Sequence, residues 1–455
     1  MEFDMTWLKR ILLALAVLIA LAAALPLFIS LDDYIPKIEQ EASARLKQPV
    51  TIKSIRFAAL PLPHVVVSGI TIGNTNDLTL EKATLTPALL SLLQSTRVIS
   101  SVEIDSLVVT RKAIDTLLAL AAADDAKPPQ AQPVRVERIK FDNVVLKLDK
   151  TDFGPFDARI RLDGAGKPED ASVTTRDGKL KALIKPDQKS AYLIDVSAKA
   201  WTLPAGPALL FDELHITGVA TQNDASLDTI DARLYGGTAS GKVRLDWKKG
   251  LRLDGHLDIG DVEMRQIAAL LSPGAHVSGK LTAKPVFSAT AASADQLVKA
   301  VRLETDFKVR DGVLHGVDIQ QAATQLIKQK STGGETRFDH LSGHLVAAQG
   351  SHHFTQLSIA SGVLSAEGKL SVSPKKELSG RINAQVKVAG VGANVPLNVA
   401  GTTSSPLLYP TGATIAGAAV GTALMGPGFG TSVGAKVGGW AEGLFDSKPE
   451  KTPKR

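Results

Sequence analysis

Apolar and polar residues alternate one by one along much of this chain, and that period leaves few folds open. Ala158, Ile160 and Leu162 alternate with Arg159, Arg161 and Asp163. Val243, Leu245 and Trp247 alternate with Lys242, Arg244 and Asp246, while Ile382, Ala384, Val386 and Val388 alternate with Arg381, Asn383, Gln385 and Lys387. Successive side chains of a strand point to opposite faces, so a period of two predicts sheet with one apolar and one wet face. Residues 50–52 and 65–72 are β-branched and bounded by Pro and Gly, a further strand signal. Asp163-Gly164, Asp177-Gly178, Asp254-Gly255 and Asp311-Gly312 punctuate the pattern, and Asp-Gly favours the φ > 0 of tight hairpin turns. Phe141-Asp142, Phe211-Asp212 and Phe338-Asp339 are expected to open strands. The expected fold class is mainly β, a long antiparallel meander. The recurrence has no fixed period, so no solenoid is assigned.

Helices are expected in few places. Residues 33–47 carry Ile35, Ile38, Ala42 and Leu46 near one stripe, with Pro36 in the first turn, and predict an amphipathic helix capping the sheet that follows. Thr86-Pro87 reads as an N-cap and first-turn proline before a helix over 88–94. Further helices are expected over 112–123, from a capping box at Ser293 to Ala300, and over 317–330. Residues 121–133, rich in Ala, Asp, Pro and Gln, read as a linker between a β region at 48–120 and a longer sheet at 134–408.

The two ends differ in kind from the middle. Residues 11–29 are an unbroken apolar run with Ile11, Leu15, Leu18, Leu21, Leu25 and Ile29 along it. At 1.5 Å per residue a helix there covers about 28 Å, close to the hydrocarbon core of a bilayer. Lys9 and Arg10 precede it, Asp32 and Asp33 follow it, and the positive-inside rule keeps residues 1–10 cytoplasmic and exports the rest. A cleaved signal peptide is the rival reading, with Ala22-Ala23-Ala24 as its cleavage site, but the run exceeds an ordinary h-region. At the other end no charge occurs between Lys387 and Lys436. Ala413, Gly417 and Gly421 are spaced by four, as are Gly430, Gly434 and Gly438, with Gly426-Pro427-Gly428 between the sets. Small residues on one helical face permit close approach, so 409–445 is expected to form a glycine-zipper hairpin that touches a membrane or docks a partner, followed by a polar tail at 446–455. A flexible Gly/Ala tail is the alternative.

Composition narrows the chemistry. The 455 residues include 52 basic and 46 acidic side chains, and no basic run with interleaved aromatics marks a nucleic-acid surface. There is no cysteine, which excludes disulfides and thiolate chemistry. His340, His344, His352 and His353 cluster in sequence without a metalloprotease motif around them, and no P-loop or nucleophile elbow occurs. No catalytic, cofactor or metal residue is assigned, and no enzyme is expected.

Two sets of blocks resemble the AsmA family of envelope proteins. The first runs over 34–110: Tyr34-Ile35-Pro36, Glu41-Ala42-Ser43, Pro49-Val50-Thr51-Ile52, Leu60-Pro61-Leu62-Pro63-His64, Gly69 to Asn74 and Val102-Glu103-Ile104-Asp105. The second holds Leu234-Tyr235-Gly236-Gly237, Gly316-Val317-Asp318-Ile319 and Thr336-Arg337-Phe338-Asp339. The resemblance implies a transmembrane anchor in the bacterial inner membrane, then a long sheet curled into a gutter with an apolar inside, residing in the periplasm. It also implies outer-membrane biogenesis and movement of glycerophospholipids between membranes. Ile160, Leu162, Val243, Leu245, Trp247, Ile382, Val386 and Val388 are then candidate groove residues. Gly417, Gly421, Gly430, Gly434 and Gly438 are candidates for docking to the outer membrane or an envelope protein. About 300 residues of strand at roughly ten per strand give about 30 strands, on the order of 140 Å at 4.7–4.9 Å spacing. That falls short of a periplasm, so such a chain needs a partner at its far end, serves one membrane, or is no conduit. A non-enzymatic assembly factor for outer-membrane proteins is the second expected function.

Overall fold

The computed structural model describes residues 31–412 apart from 61, 90, 92–96, 114–115, 117–133, 149–150, 188–190, 205–206, 222, 272–276, 293, 325–332 and 389–390. The apolar run 11–29, the linker 121–133 and the glycine-spaced segment from 413 onward lie outside the described residues. Alternation becomes strand almost throughout: the described residues hold 23 strands and few helices. None of those helices is long and apolar enough to cross a membrane. The chain divides into two units, Met1–Ala198 and Lys199–Arg455.

In the first unit a 3-10 turn (Asp32–Tyr34) leads into α1 (Ile35–Leu46), within the helix expected at 33–47. Strands β1 (Val50–Ala58), β2 (His64–Ile72), β3 (Leu78–Pro87) and β4 (Arg97–Thr110) form an antiparallel meander. Its next step departs from the expected all-antiparallel order. β4 pairs in parallel with β5 (Val134–Val136) and β6 (Arg138–Leu148). A parallel pair needs a crossover of a dozen or more residues, and 111–133 provide it. The antiparallel ladder resumes through β7 (Thr151–Leu162), β8 (Pro168–Thr175), β9 (Leu180–Pro186) and β10 (Tyr192–Thr202), whose last residues fall in the second unit.

The second unit continues with β11 (Leu210–Ala220), β12 (Asp224–Leu234), β13 (Gly237–Asp246) and β14 (Leu251–Glu263), all antiparallel. β15 (Val277–Ala283) and β16 (Val286–Ala291) lie end to end between β14 and β17 (Arg302–His315), broken at Lys284-Pro285. β18 (Glu335–Ala348), β19 (Ser351–Ala360), β20 (Leu364–Val372), β21 (Leu378–Val388), β22 (Val391–Thr402) and β23 (Ser405–Pro410) complete the ladder. Three helices pack on it: α2 (Met264–Leu271), α3 (Ala294–Ala300) and α4 (Ile319–Thr324). α2 has no counterpart in the sequence expectations, although Met264, Ile267, Ala268 and Leu271 repeat at helical spacing.

The alternation slips by one residue inside many strands. In β3 Glu81 and Lys82 are both exposed between Leu80 and Ala83. In β17 Arg310 and Asp311 are both exposed between Val309 and Gly312, and in β19 Thr355 and Gln356 between Phe354 and Leu357. Positive φ marks these slips at Asp311 (51°) and Gln356 (52°), and similarly at Ser106 (56°), Asn143 (59°) and Asp261 (54°). Such bulges add one residue and return the following apolar side chains to the same face.

Several sequence expectations give way for related reasons. Asp163-Gly164 and Asp177-Gly178 do lie in turns, but Asp254-Gly255 and Asp311-Gly312 lie inside β14 and β17. There the glycines sit opposite phenylalanines: Gly255 faces Phe287 and Gly312 faces Phe338, with Gly343 opposite Phe307 as a third pair. A Cβ at Gly255 would lie 2.5 Å from Phe287 Cζ, so the ring occupies the space a side chain would need. Thr86-Pro87 ends β3, where proline is tolerated because the ladder stops, and residues 90 and 92–94 of the helix expected there lie outside the described residues. Phe211-Asp212 opens β11, whereas Phe141 and Phe338 are the fourth residues of β6 and β18.

Candidate functional site

The first unit presents two unbroken apolar rows across its sheet. Register places Phe57, Val65, Leu85 and Val102 side by side on β1 to β4, and the row continues through Ile139, Ile160, Ala171, Ile184 and Ile194. Every member is half-buried. The adjacent row holds Ile55, Val67, Ala83 and Ile104, then Phe141, Ala158, Val173, Ala182 and Val196. Eight strand spacings make each row about 38 Å long. The bulges at Ser106 and Asn143 keep these rows in phase with the apolar residues beyond the slip, such as Leu107 and Val144. Asn143 Nδ2 donates to Ser106 Oγ at 3.3 Å and Asn143 N–H to Asp157 Oδ1 at 2.9 Å, tying neighbouring bulges together.

α1 seals the free edge of this sheet. Val50 N–H donates to Ser43 Oγ (2.9 Å), Ile52 N–H to Glu39 Oε1 (2.7 Å) and Ile55 N–H to Asp32 Oδ1 (3.1 Å). The spacing follows from geometry: eleven residues from 32 to 43 rise about 16 Å as helix, and five from 50 to 55 rise about 16 Å as strand. Edge N–H groups that would template another strand are thus given side-chain acceptors. Lys47 in the left-handed region ends the helix and turns the chain into β1.

At the opposite end from residue 31, the β2–β3 turn holds the buried Asp77. Its carboxylate accepts from Lys112 Nζ at 2.8 Å and Thr75 Oγ1 at 2.6 Å. The Lys112 hydrogen bond, aided by Thr75, holds this carboxyl below the usual carboxylate range. Leu46, Ile72, Leu78 and Ala113 line a recess beside it.

In the second unit the apolar face is half-buried at Leu227, Val243 and Leu245 of β12 and β13 and buried under α4. Leu227, Val243, Gly255 and Phe287 form one row, and Ala225, Leu245, Leu253 and Ala289 the next. Val243 and Leu245 are half-buried, and the outer face carries ion pairs such as Arg244–Asp224 (2.8 Å) and Arg252–Asp254 (2.7 Å). A buried core takes in Leu281 and Ala283 of β15 and reaches Leu408 of β23. α4 packs on β18, β21, β22 and β23, and its Ile319, Ala322 and Ala323 are buried with Val386, Leu397 and Leu408. Asp318 Oδ1 caps α4 by accepting from Gln321 N–H at 2.7 Å, and Thr336 Oγ1 accepts from Ile319 N–H at 3.0 Å.

The candidate groove residues therefore divide. Ile160, Leu162, Val243 and Leu245 lie half-buried. Val386 is 2% exposed in the closed core, with Ile382 packed against it. Trp247 lies past the end of β13, which stops at Asp246, and its backbone N–H donates to Asn223 O at 2.9 Å. The Val388 side chain, the anchor residues Ile11 to Ile29 and the docking glycines lie outside what is described. The cross-sheet rows were missed because alternation shows which residues share a strand face but not which strands are neighbours.

The four histidines lie on β18 and β19. His344 Nδ1 lies 2.8 Å from Asp306 Oδ1, and His353 Nδ1 3.0 Å from Ser371 Oγ. Among the described residues no group of three His, Cys, Asp or Glu is placed to hold a metal ion.

Residues 6–194 match the model of the AsmA family. Neither the curated proteins nor the solved structures yield a match to the chain.

Proposed function

Through residues 6–194 this chain belongs to the AsmA family, and from that premise we propose that it holds glycerophospholipid acyl chains against its half-buried apolar rows at the bacterial envelope. The observation that carries this reading is the row from Phe57 to Ile194, apolar and half-buried on all nine strands it crosses. An acyl chain in water costs about 0.8 kcal/mol per CH₂, and a continuous apolar row offsets most of that cost without a catalytic group. In this reading residues 11–29 anchor the chain in the inner membrane, the strands lie in the periplasm, and the glycine-spaced tail docks to the outer membrane or an envelope protein. The work is non-enzymatic: lipid is shielded and passed, and no bond is broken.

The full chain, purified in mild detergent and extracted into organic solvent, is expected to release glycerophospholipid on mass spectrometry. Recovery of detergent alone would overturn the lipid reading. The closed core under α4 supports a second reading, a scaffold factor for outer-membrane proteins, and crosslinking that recovers defined protein partners in place of lipid would favour it.

A further inference from the structure

The end of the first unit beside residue 31 carries nearly all of that unit's exposed large apolar side chains. Strand directions define this end. The β1–β2 turn, the end of β3, the starts of β4, β5 and β6, the end of β7, and the β9–β10 turn all lie there. Residue 31 lies there too, because Asp32 bonds Ile55, three residues from the end of β1.

Among the described residues of this unit seven large apolar side chains are exposed. Leu60 (60%) and Leu62 (58%) project from the β1–β2 turn, and Leu62 is held there by a 2.7 Å hydrogen bond between its carbonyl and His64 Nδ1. Leu89 follows the end of β3, Val134 starts β5 beside Arg97, and Leu193 stands second in β10. Tyr34 closes the 3-10 turn, and Ile38 lies one turn further along α1. The described turns of the opposite end, β2–β3 and β8–β9, show Asn74, Thr75, Arg176 and Lys179 instead. A concentration of this kind on a soluble face marks a surface that meets an apolar partner.

We propose that this end is a membrane seat: Leu60, Leu62, Leu89 and Leu193 enter the boundary between headgroups and acyl chains of the bilayer from which residue 31 emerges. The proposal rests on the reading of residues 11–29 as an anchor, and the position of residue 31 at this end identifies the occupant. Two ion pairs lie at this end, Arg135 with Glu137 at 3.1 Å and Arg161 with Glu169 at 3.2 Å, and Arg97, Arg138, Lys167 and Lys185 stand there as well. In this proposal the seat works by apolar insertion of the four leucines, in contrast to a polybasic surface. Seating brings the first-unit rows to within a few strand residues of the lipid surface.

The absence of cysteine makes the test direct. The full chain bearing Leu62→Cys or Leu193→Cys is labelled with an environment-sensitive fluorophore and reconstituted into phosphatidylcholine vesicles. Asn74→Cys and Lys179→Cys report the opposite end. The seat predicts blue-shifted emission and several-fold stronger quenching by brominated lipid at Leu62 and Leu193 than at Asn74 and Lys179. Equal, water-like emission at both ends overturns it, as does insertion only when anionic lipid is added. Flotation with the vesicles scores the anchor separately, and a chain that stays behind overturns anchor and seat together. Lipid co-isolation is read independently: unquenched seat labels on a lipid-loaded chain remove the seat and leave the groove, and the reverse removes the groove alone.

Discussion

At the scale of single residues, glycine and aspartate do work here that a turn dictionary misassigns. Asp-Gly favours positive φ, and a β-bulge uses that conformation as readily as a hairpin does. Hence Asp311, at φ 51°, sits inside β17 with Gly312 beneath Phe338. Asp77 is a different case, a buried carboxylate with a cationic partner. Its folded pKa lies below its ordinary 3.8, chiefly through the Lys112 hydrogen bond. It therefore contributes stability in full above pH 3.8, and that contribution is lost as pH falls through the lower folded value. The Thr110 amide, which donates to Asp77 O at 2.9 Å, reports on this turn. Its exchange protection is expected to drop in that acid window, and Lys112→Ala is expected to move the drop upward towards 3.8. A profile unchanged by that substitution would show that the pairing does not govern the turn.

At the scale of elements, α1 was legible as an amphipathic helix but its purpose was not. Its apolar stripe follows from Ile35, Ile38, Ala42 and Leu46, whereas its polar residues Glu39 and Ser43 are what seal β1. Nothing in a sequence pairs Glu39 with the amide of Ile52, thirteen residues away. Glu39→Ala is expected to cost about 1.5–3 kcal/mol, the range for a hydrogen bond to a charged group, in urea unfolding of the full chain. Amide exchange at Ile52 should accelerate in the same variant and the edge become prone to strand pairing. An Ile52 amide that exchanges at its original rate would refute the sealing role.

At the scale of the whole molecule, each unit can be asked whether its apolar face is reachable. Ile160 and Ile184 belong to a half-buried row, while Leu397 is fully buried beneath α4. A photo-crosslinking side chain at position 160 or 184 is expected to capture lipid from membranes, and one at 397 to capture only its own chain. Lipid captured equally at 397 would mean that the core under α4 opens, and lipid captured at neither 160 nor 184 would remove the row as a lipid surface. The candidate groove residues straddled this distinction because Val243 and Val386 have the same local pattern of alternating neighbours. The short helix α4 packs on β21, the strand of Val386, and helps to bury it.

The chain by itself determined that it would be mostly strand, because period-two alternation satisfies one buried face and no helix does. It also marked a helix start through Pro36, which sits in the first turn of α1. The tertiary structure alone decided the parallel step from β4 to β6, the phase slips that keep rows such as Phe57 to Ile194 continuous, and the cover that α4 lays over β18 and β21 to β23. The physical reason is common to all three. Local pattern records which face of a strand avoids water, but strand order, bulge alignment and cover are settled by contacts between residues far apart in sequence, whose energies no short window contains.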